Sequence, residues 1–268
     1  MEDLDRRAEA VERAALSSLH DLCPPEAKRR LGLHSISVAD VLVSVAEYDP
    51  SILLNRAVGL ATTKTPSLAT IETIAGIYRE HGVRRFFLHV HPDELPAHGI
   101  RWLGEAGLEK ARSWRQFHRI AAPPADVSTD LRIEPIGYEY ATDFAKIVCA
   151  AFDMTPAAEP LIAAAAHDDR WRLFMSFDGD KPAGAGGLFV HDDCGWLDFG
   201  ATSPEFRRRG SQGAIMAARI QAALDAGCEH LFTETGEAVE GDPQHSYGNI
   251  ERHGFEPAAL RENWTFAQ

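Results

Sequence analysis

One stretch, residues 195–227, limits the folds available to this chain more than any other. It reads GWLDFGATSPEFRRRGSQGAIMAARIQAALDAG. Alternating bulky apolar residues predict a strand from Trp196 to Thr202, which Ser203-Pro204 ends because proline cannot donate to a ladder. Apolar residues among good helix formers predict a helix from Gly213 to Ala226, stopped by Gly227. The chain is therefore organised around a strand, a basic loop and a long helix.

The loop between this strand and helix is suited to an anion. Gly210 and Gly213 let the backbone approach a ligand closely, and the amides at a helix start are free to bind it. Arg207, Arg208 and Arg209 add positive charge beside those amides. The loop is neither GxxxxGK[ST] nor a GxGxxG with a distant acidic residue. An ordinary strand–helix turn with a solvated arginine run is the alternative interpretation.

Composition narrows the class of protein. A chain of 268 residues, 45% apolar and 25% charged, suits two globular domains of about 130 residues. No apolar run approaches the roughly 18 residues of a membrane span, and the acidic start MEDLDRRAEA does not resemble a signal peptide. Four scattered cysteines without a CxxC pair favour a cytoplasmic location and no zinc site. A net charge of −13 argues against nucleic acid as a partner and suits a cationic amine.

Apolar periodicity and turn residues predict a chain in two halves. Residues 121–130, AAPPADVSTD, read as a linker between a domain at 1–120 and another at 131–268. In the first domain we expect helices at 2–20, 69–81 and 96–106, and strands at 35–48, 52–60, 85–90 and 114–120. The first of these helices has its charges on the face away from the core. In the second domain we expect strands at 131–136, 171–177, 181–190, 196–202, 230–235 and 260–266, and helices at 140–152, 160–167, 213–226 and 245–253.

The second half resembles the GNAT family of acyl-CoA-dependent N-acyltransferases. Its loop fits the family pattern [QR]-x-x-G-x-[GA] at Arg207 and Gly210, after Pro204, although Gln212 stands where the family prefers Gly or Ala. Gly254-Phe255 after the penultimate helix is a second family-like mark, and the element order over 131–268 agrees. The resemblance implies an α/β fold of the tandem GNAT type, with a central mixed β-sheet flanked by helices.

The first half reads as a degenerate repeat of the second. The helix-stop glycines are 25 residues apart in one half (Gly82, Gly107) and 27 in the other (Gly227, Gly254). Where the second half has its arginine–glycine loop, the first has ATTKTPS, without any cradle glycine. We therefore expect the first half not to bind coenzyme A. It would instead form a wall on the acceptor side of the cleft or contribute to a homodimer interface.

The resemblance also implies a function. A GNAT enzyme moves an acetyl group from acetyl-CoA to an amine by direct attack in a ternary complex, here with a small-molecule acceptor. A catalytically inactive acyl-CoA-binding module and an acetyltransferase acting on a protein amine stay open. Cofactor-binding residues would be the strand edge Gly200, Ala201 and Thr202, the loop Arg207, Arg208, Arg209, Gly210, Ser211, Gln212 and Gly213, and Ser246 and Asn249 on the penultimate helix.

Three residues are candidates for proton transfer. Asp198, in the middle of a strand among apolar neighbours, is the first candidate base, and Glu234 on the next strand is the second. Ile250 occupies the place where many family members carry a tyrosine that protonates the thiolate, so Tyr247 one turn earlier is the candidate acid. His89, His91 and His98 lack a further ligand for a metal site, so we expect no metal.

Overall fold

The strands lie where apolar residues alternate, and together they form one sheet. The computed structural model describes residues 3–60, 66–91, 95–96, 98–241 and 244–267. Its strands are β1 (Leu33–Val38), β2 (Val41–Ala46), β3 (Arg56–Val58), β4 (Phe87–Val90), β5 (Leu108–Ile120), β6 (Arg132–Ile136), β7 (Trp171–Asp178), β8 (Lys181–His191), β9 (Cys194–Thr202), β10 (His230–Gly236) and β11 (Glu256–Phe266).

The helices follow turn and cap signals in the sequence. They are α1 (Asp3–Leu22), α2 (Pro25–Leu31), α3 (Leu68–Glu80), α4 (Gly99–Glu105), α5 (Ala141–Ala151), α6 (Glu159–Ala163), α7 (Ser211–Asp225) and α8 (His245–Arg252). Ser67 caps α3 by accepting a bond from the Thr70 amide, and Gly32 ends α2 in a left-handed conformation. Within the part of the chain that the structure describes, none of these helices combines the length and the apolarity needed to cross a bilayer.

The sheet joins both halves by exchanging their final strands. Its order is β1-β2-β3-β4-β11-β5-β10-β9-β8-β7-β6. Strand β11 of the second half lies between β4 and β5 of the first, antiparallel to both. Strand β5 of the first half in turn lies between β11 and β10 of the second. The two expected domains are therefore parts of one continuous sheet, and each contributes a strand inside the other.

The order of strands reflects the expected repeat. Two helices precede β1-β2-β3-α3-β4-α4-β5 in the first half, and two precede β7-β8-β9-α7-β10-α8-β11 in the second. The parallel pair β3–β4 corresponds to the parallel pair β9–β10. If each strand is replaced by its counterpart in the other half, the strand order is the same when read from the opposite edge of the sheet, apart from the additional edge strand β6. The loop ATTKTPS, on which the expected loss of a first cofactor site depends, lies mostly outside the described residues.

The core is divided between the two faces of the sheet, because neighbouring side chains of a strand point to opposite faces. Trp196 and Phe232 pack with α1, α5 and α6 in one cluster. Leu197 and Leu231 pack with α7 and α8 in another. Helix α1 therefore covers one face of β9 and β10, and the long helix α7 covers the opposite face.

Three expectations about the first half need correction. The apolar run 35–48 is a hairpin, not one strand, because Ala39 takes a positive φ of 51° at a turn between β1 and β2. The strand expected at 52–60 shortens to β3, since Asn55 bonds the backbone of Ala46, Asp49 and Ser51 and holds a turn there. The charges of α1 do not all lie on its solvent face. Glu9 and Glu12 are 2% and 0% exposed.

Candidate active site

Strands β9 and β10 separate at a bulge in β9. They pair in parallel only from Cys194 to Trp196 on β9 and from His230 to Phe232 on β10. Beyond this point Phe199 has a positive φ of 58°, and the register of β9 against β8 shifts. The backbone of β9 from the bulge to Thr202 therefore faces a gap between two strands of the same sheet. The expected pantetheine edge, Gly200–Thr202, lies along this gap.

A buried arginine of α7 supports the bulge. The guanidinium of Arg219 donates to the carbonyl oxygens of Asp198 at 2.9 Å and Gly187 at 3.2 Å. Burial lowers the pKa of Arg219 to about 10, while the nearby Asp198 opposes this. Sequence reasoning missed Arg219 because a single arginine in an apolar helix reads as a surface residue. In the structure Arg219 faces Gly186, where a Cβ would lie 3.1 Å from Arg219 Nε.

The loop before α7 forms a cradle of backbone amides. Arg208 and Gly210 have positive φ values of 64° and 83°, and α7 starts at Ser211 without a side-chain cap. The first amides of a helix have no partner within it, so they are available to an anion. A Cβ on Gly210 would lie 2.7 Å from the Ser128 carbonyl oxygen, so only glycine fits this position. The expectation of a cradle at this loop therefore agrees with its backbone geometry.

The three arginines of the loop have different environments. Arg207 and Arg208 are exposed, and neither has a partner among the residues that the structure describes. Arg209 instead forms ion pairs with Asp130 and Asp178 at 2.5 Å and 3.0 Å. It is a structural tie between the loop, the linker and β7. Its charge is thus paired within the protein, and its role as a cofactor-binding residue stays a prediction.

Ser211 and Gln212 turn their side chains inward. Ser211 Oγ lies 2.8 Å from Ser176 Oγ in the core, so it can serve a ligand only through its backbone amide. Gln212 Nε2 donates to the Ala201 carbonyl oxygen at 2.6 Å and to Thr202 Oγ1 at 3.0 Å. Its amide group thus occupies the edge of β9 along the gap, which explains how a residue larger than Gly or Ala fits there.

Helix α8 brings one of its two expected site residues, Asn249, to the start of α7. A Cβ on Gly213 would lie 3.7 Å from Asn249 Oδ1 and 3.4 Å from His253 Nε2. Ser246 is exposed in the first turn of α8. His253, which sequence reasoning missed, is 5% exposed, and burial with nearby arginines lowers its pKa. Asn249 and His253 therefore flank the cradle.

Tyr247, the candidate acid, packs into the core side of α8. Its ring makes an edge contact with Phe117 of β5, with ring centroids 4.8 Å apart. It lies on the same side of the sheet as α7. Its role in proton transfer stays a prediction.

The two candidate bases lie on the two strands that separate. Asp198 is half-buried, and its carboxylate accepts bonds from the Trp196 indole at 3.3 Å and the Phe199 amide at 2.8 Å. Glu234 lies on β10, two residues beyond its last pairing with β9. Both positions border the gap, so sequence reasoning placed both candidates beside the same opening.

Glu234 belongs to a buried ion network made by both halves: Glu9, Glu12, Arg56, Glu234 and Arg261. Arg56 donates to Glu12 at 2.9 Å and to Glu234 at 3.3 Å. Arg261 donates to Glu9 and Glu12, each at 2.7 Å, and to Glu234. Burial raises the pKa of Glu234 to about 8, and the guanidiniums oppose the shift. A carboxyl group in this state can take up a proton near neutral pH.

Among the residues that the structure describes, histidines and acids cluster in two further places that could hold a metal ion. These are His34 with Glu47 and His81, and Asp193 with Glu229 and His230, whose ligand atoms lie within 4.8 Å of one another. His81 Nδ1 already lies 2.6 Å from Glu47 Oε1. His89, by contrast, is buried and bonds Asn263 Oδ1 at 2.7 Å, and burial keeps its pKa well below the usual range.

Comparison with known proteins agrees with this geometry. The model of the acetyltransferase (GNAT) family matches residues 139–255. The fold is similar to that of a GCN5-related N-acetyltransferase from Kribbella flavida, with a TM-score of 0.65 and 13% identity over 97% of this chain and 96% of that one. A GCN5-related N-acetyltransferase from Sphaerobacter thermophilus gives a TM-score of 0.60 and 12% identity over 78% and 70% of the two chains.

A tandem GNAT protein from the clavulanic acid biosynthesis pathway also has a similar fold, with a TM-score of 0.53 and 14% identity over 74% of this chain and 68% of that one. No curated protein matches the chain. The structural likenesses concern the fold, a large mixed sheet flanked by helices, which the sequence predicted. Residues 139–255 therefore form a domain of the acetyltransferase (GNAT) family, built into a sheet that runs through both halves of the chain.

Proposed function

We propose that the protein transfers the acetyl group of acetyl-CoA to an amine of a small-molecule acceptor, by direct attack in a ternary complex. The observation that carries this proposal is the gap between β9 and β10, which ends near the amide cradle at the start of α7. A thioester held in the gap and a pyrophosphate held at the cradle would lie on one continuous surface. This is the arrangement that acyl transfer needs, because it places the thioester beside the acceptor.

The residues at the cradle fit a pyrophosphate. The left-handed turn at Arg208 and Gly210 directs the loop into the start of α7, and Arg207 and Arg208 are free to neutralise phosphate charge. Along β9 the fit requires an adjustment. The Gln212 amide group now bonded to Ala201 must turn aside, or act as a donor itself, when a pantetheine arm lies against this edge.

The chemistry of the proposed step falls on groups that border the gap. The ammonium of the acceptor gives one proton to a carboxylate, for which Glu234 is the better placed candidate, because burial raises its pKa toward neutrality. The amine nitrogen forms the C–N bond as the C–S bond breaks. Tyr247, the candidate donor on the α8 side, gives its phenol proton to the sulfur of coenzyme A, and the second proton released by the nitrogen restores the phenol.

A protein that binds acyl-CoA without catalysis is the second candidate function. It is favoured by Ile250, which stands buried at the position of the missing tyrosine, and by the side chain of Gln212 in the gap. An acetyltransferase acting on a protein amine is the third. The acetyl-CoA site is common to all three, so it is tested first.

A thermal-shift titration with acetyl-CoA tests the proposal. The wild-type chain should gain about 2.7 kcal/mol at 100 times the dissociation constant. Reversing both exposed arginines, Arg207→Glu with Arg208→Glu, should abolish most of this shift, because it places negative charge beside the pyrophosphate. Release of free thiol in the presence of small amines then measures the reaction.

The matched control is Arg84→Glu with Arg85→Glu. These two arginines are also adjacent and exposed, but they lie in the first half. It makes the same change in net charge, so its acetyl-CoA shift should equal that of the wild type. Absence of a thermal shift with acetyl-CoA in the wild type would contradict the proposed function. An equal loss in both double variants would move the cofactor away from the cradle.

A further inference from the structure

A pocket on the α1 side of the sheet lies between the two halves. Its volume is about 410 Å³, within the range of small-molecule sites. The N-terminal part of α1, with Asp5, forms one wall, and the end of β4 contributes His91. Gln116 and His118 of β5, Phe232 of β10 and the start of β11 form the floor.

Gln116 points to a ligand in this pocket. Its side chain is 1% exposed, and neither Oε1 nor Nε2 has a hydrogen-bond partner among the described residues. A buried amide without partners is costly, and such groups are rare in folded proteins. A ligand that both donates and accepts, such as one with a hydroxyl or an amide group, would satisfy both atoms of Gln116.

The charge of the pocket favours a cation. Asp5 and Glu256 supply two carboxylates. His91 Nε2 lies 3.3 Å from the Asp5 carboxylate and helps to orient it. Burial lowers the pKa of His118, so this histidine is neutral at pH 7 and does not offset the acids. A primary ammonium group is therefore the matching ligand charge.

The floor of the pocket lies beside the point where β9 and β10 separate. Phe232 is the last residue of β10 that pairs with β9. Gln116 lies directly opposite Glu234 in the antiparallel pair of β5 and β10. Side chains of such directly opposed residues are neighbours on one face of the sheet. A molecule bonded to Gln116 would therefore lie next to Glu234, at the point where the two strands separate.

We propose that this pocket binds the acceptor, and that the acceptor is a small primary amine with a hydroxyl or amide group close to the amine. This inference rests on the proposed function. The carboxylates of the pocket attract the cationic acceptor, and Gln116 bonds its hydroxyl or amide group, which leaves the adjacent amine beside Glu234. Because α1 and β5 come from the first half, the first half selects the acceptor while the second half binds acetyl-CoA.

Thiol release from acetyl-CoA tests the inference with matched amines of equal size. The pairs are ethanolamine with propylamine, and glycinamide with isobutylamine. The polar member of a pair should be acetylated at least ten times more efficiently, because an apolar analogue leaves Gln116 unpaired. Gln116→Met should erase this preference and raise the KM of the polar amine about tenfold.

A second readout separates this role from a structural one. Removing two unpaired buried polar atoms should raise the Tm of Gln116→Met by about 2–4 °C, although the variant loses acceptor selectivity. The control Gln221→Met, on the exposed face of α7, should change neither property. Gln116→Met should also keep the wild-type shift with acetyl-CoA.

The outcomes distinguish the two proposals. A wild-type protein that binds acetyl-CoA but acetylates none of these amines overturns the inference, as does a preference that survives in Gln116→Met. The same holds for a marked loss of stability in that variant, which would assign Gln116 to the core. Absence of any acetyl-CoA shift in the wild type would instead overturn the proposed function itself.

Discussion

Three buried carboxylates and two guanidiniums form the ion network where the halves meet, so the charges of its side chains do not balance. Glu9, Glu12 and Glu234 face Arg56 and Arg261, and every one of these residues is largely withdrawn from water. An excess negative charge in such a place is costly, and the network relieves it by holding a proton. Burial accordingly raises the pKa of both Glu9 and Glu234.

The retained proton makes stability depend on pH. Because the pKa of Glu234 is higher in the folded chain than in the unfolded one, the folded state binds the extra proton between the usual carboxyl range and about pH 8. The stabilisation that this proton provides is complete below the usual carboxyl range and is lost as pH rises to about 8. Glu234→Gln removes the titrating group. The free energy of unfolding of this variant should therefore rise relative to that of the wild type as the pH is raised from 5 to 8. Urea unfolding at several pH values measures this difference.

Activity should respond to the same proton with the opposite sign. In the proposed reaction the ionised carboxylate of Glu234 is the base, so acetyl transfer should accelerate as pH rises toward 8, and the rate should fall about 10²-fold or more in Glu234→Gln. Glu251→Gln, at an exposed position of α8, is the control for both readouts. If Glu234→Gln keeps the pH profile and Asp198→Asn loses it, Asp198 is the base.

Single residues were predictable where local chemistry alone decides their role. Gly210 could be identified from sequence because its left-handed conformation is a local property of the loop. Glu9 and Glu12 could not, because they resemble any charged face of an amphipathic helix until Arg56 and Arg261 are brought against them. The pairing of Arg209 with Asp130 and Asp178 likewise depends on partners distant in sequence.

At the scale of elements, α7 and β9 act as one unit. The helix supplies the cradle at its first turn and, two turns later, Arg219, whose guanidinium binds the carbonyl oxygens of Gly187 and Asp198, the pair next to the bulge. Gln212 adds a bond from the first turn to the strand edge. The gap thus has its shape because the helix that would bind the phosphates also holds the strand open.

Arg219→Met should destabilise the chain and close the gap. The Asp198 carbonyl oxygen loses its donor in the interior, which we expect to cost about 2 kcal/mol of unfolding free energy. Acetyl-CoA affinity should fall as well, because the bulge is no longer supported. Urea unfolding and thermal shift measure the two effects, and the exposed Gln221→Met serves as control. Full stability in Arg219→Met would show that the bulge is maintained by β8 and β9 alone.

Most helices and strands were predictable from periodicity and turn residues, and the exceptions have local causes. Ala39 and Asp40 are unusual residues for a hairpin turn, so the run from 35 to 48 reads as one strand. The bulge at Phe199 is hidden in the sequence for a related reason. A bulky residue with positive φ is strained by itself and persists only because the surrounding structure imposes it.

At the scale of the whole molecule, the exchange of β5 and β11 makes the halves interdependent. Without β11, the first half has a break between β4 and β5, and without β5 the second half has a break between β10 and β11. Arg261 of β11 also carries the ion network that α1 completes. Sequence patterns specify that a segment is a strand but do not specify its partner, so this arrangement was not predicted.

Fragments 1–130 and 131–268 should therefore not fold separately. Each would expose two strand edges in its interior and lack half of the ion network, so circular dichroism should show no cooperative melting for either fragment. The control is the whole chain cut within the exposed linker at residues 122–126, where the two pieces should stay associated and melt together. A single fragment with its own sharp transition would contradict this expectation.

The position of β11 also matters while the chain is being made. Ribosomes release the first half well before residues 256–266 emerge, and until then β4 and β5 have no strand to fill the space between them. Nascent chains would therefore carry open strand edges through most of translation, unlike a protein whose first domain completes itself early. Slow elongation in the second half would lengthen this exposed interval, so the yield of native protein should depend on chaperones that shield strand edges during synthesis.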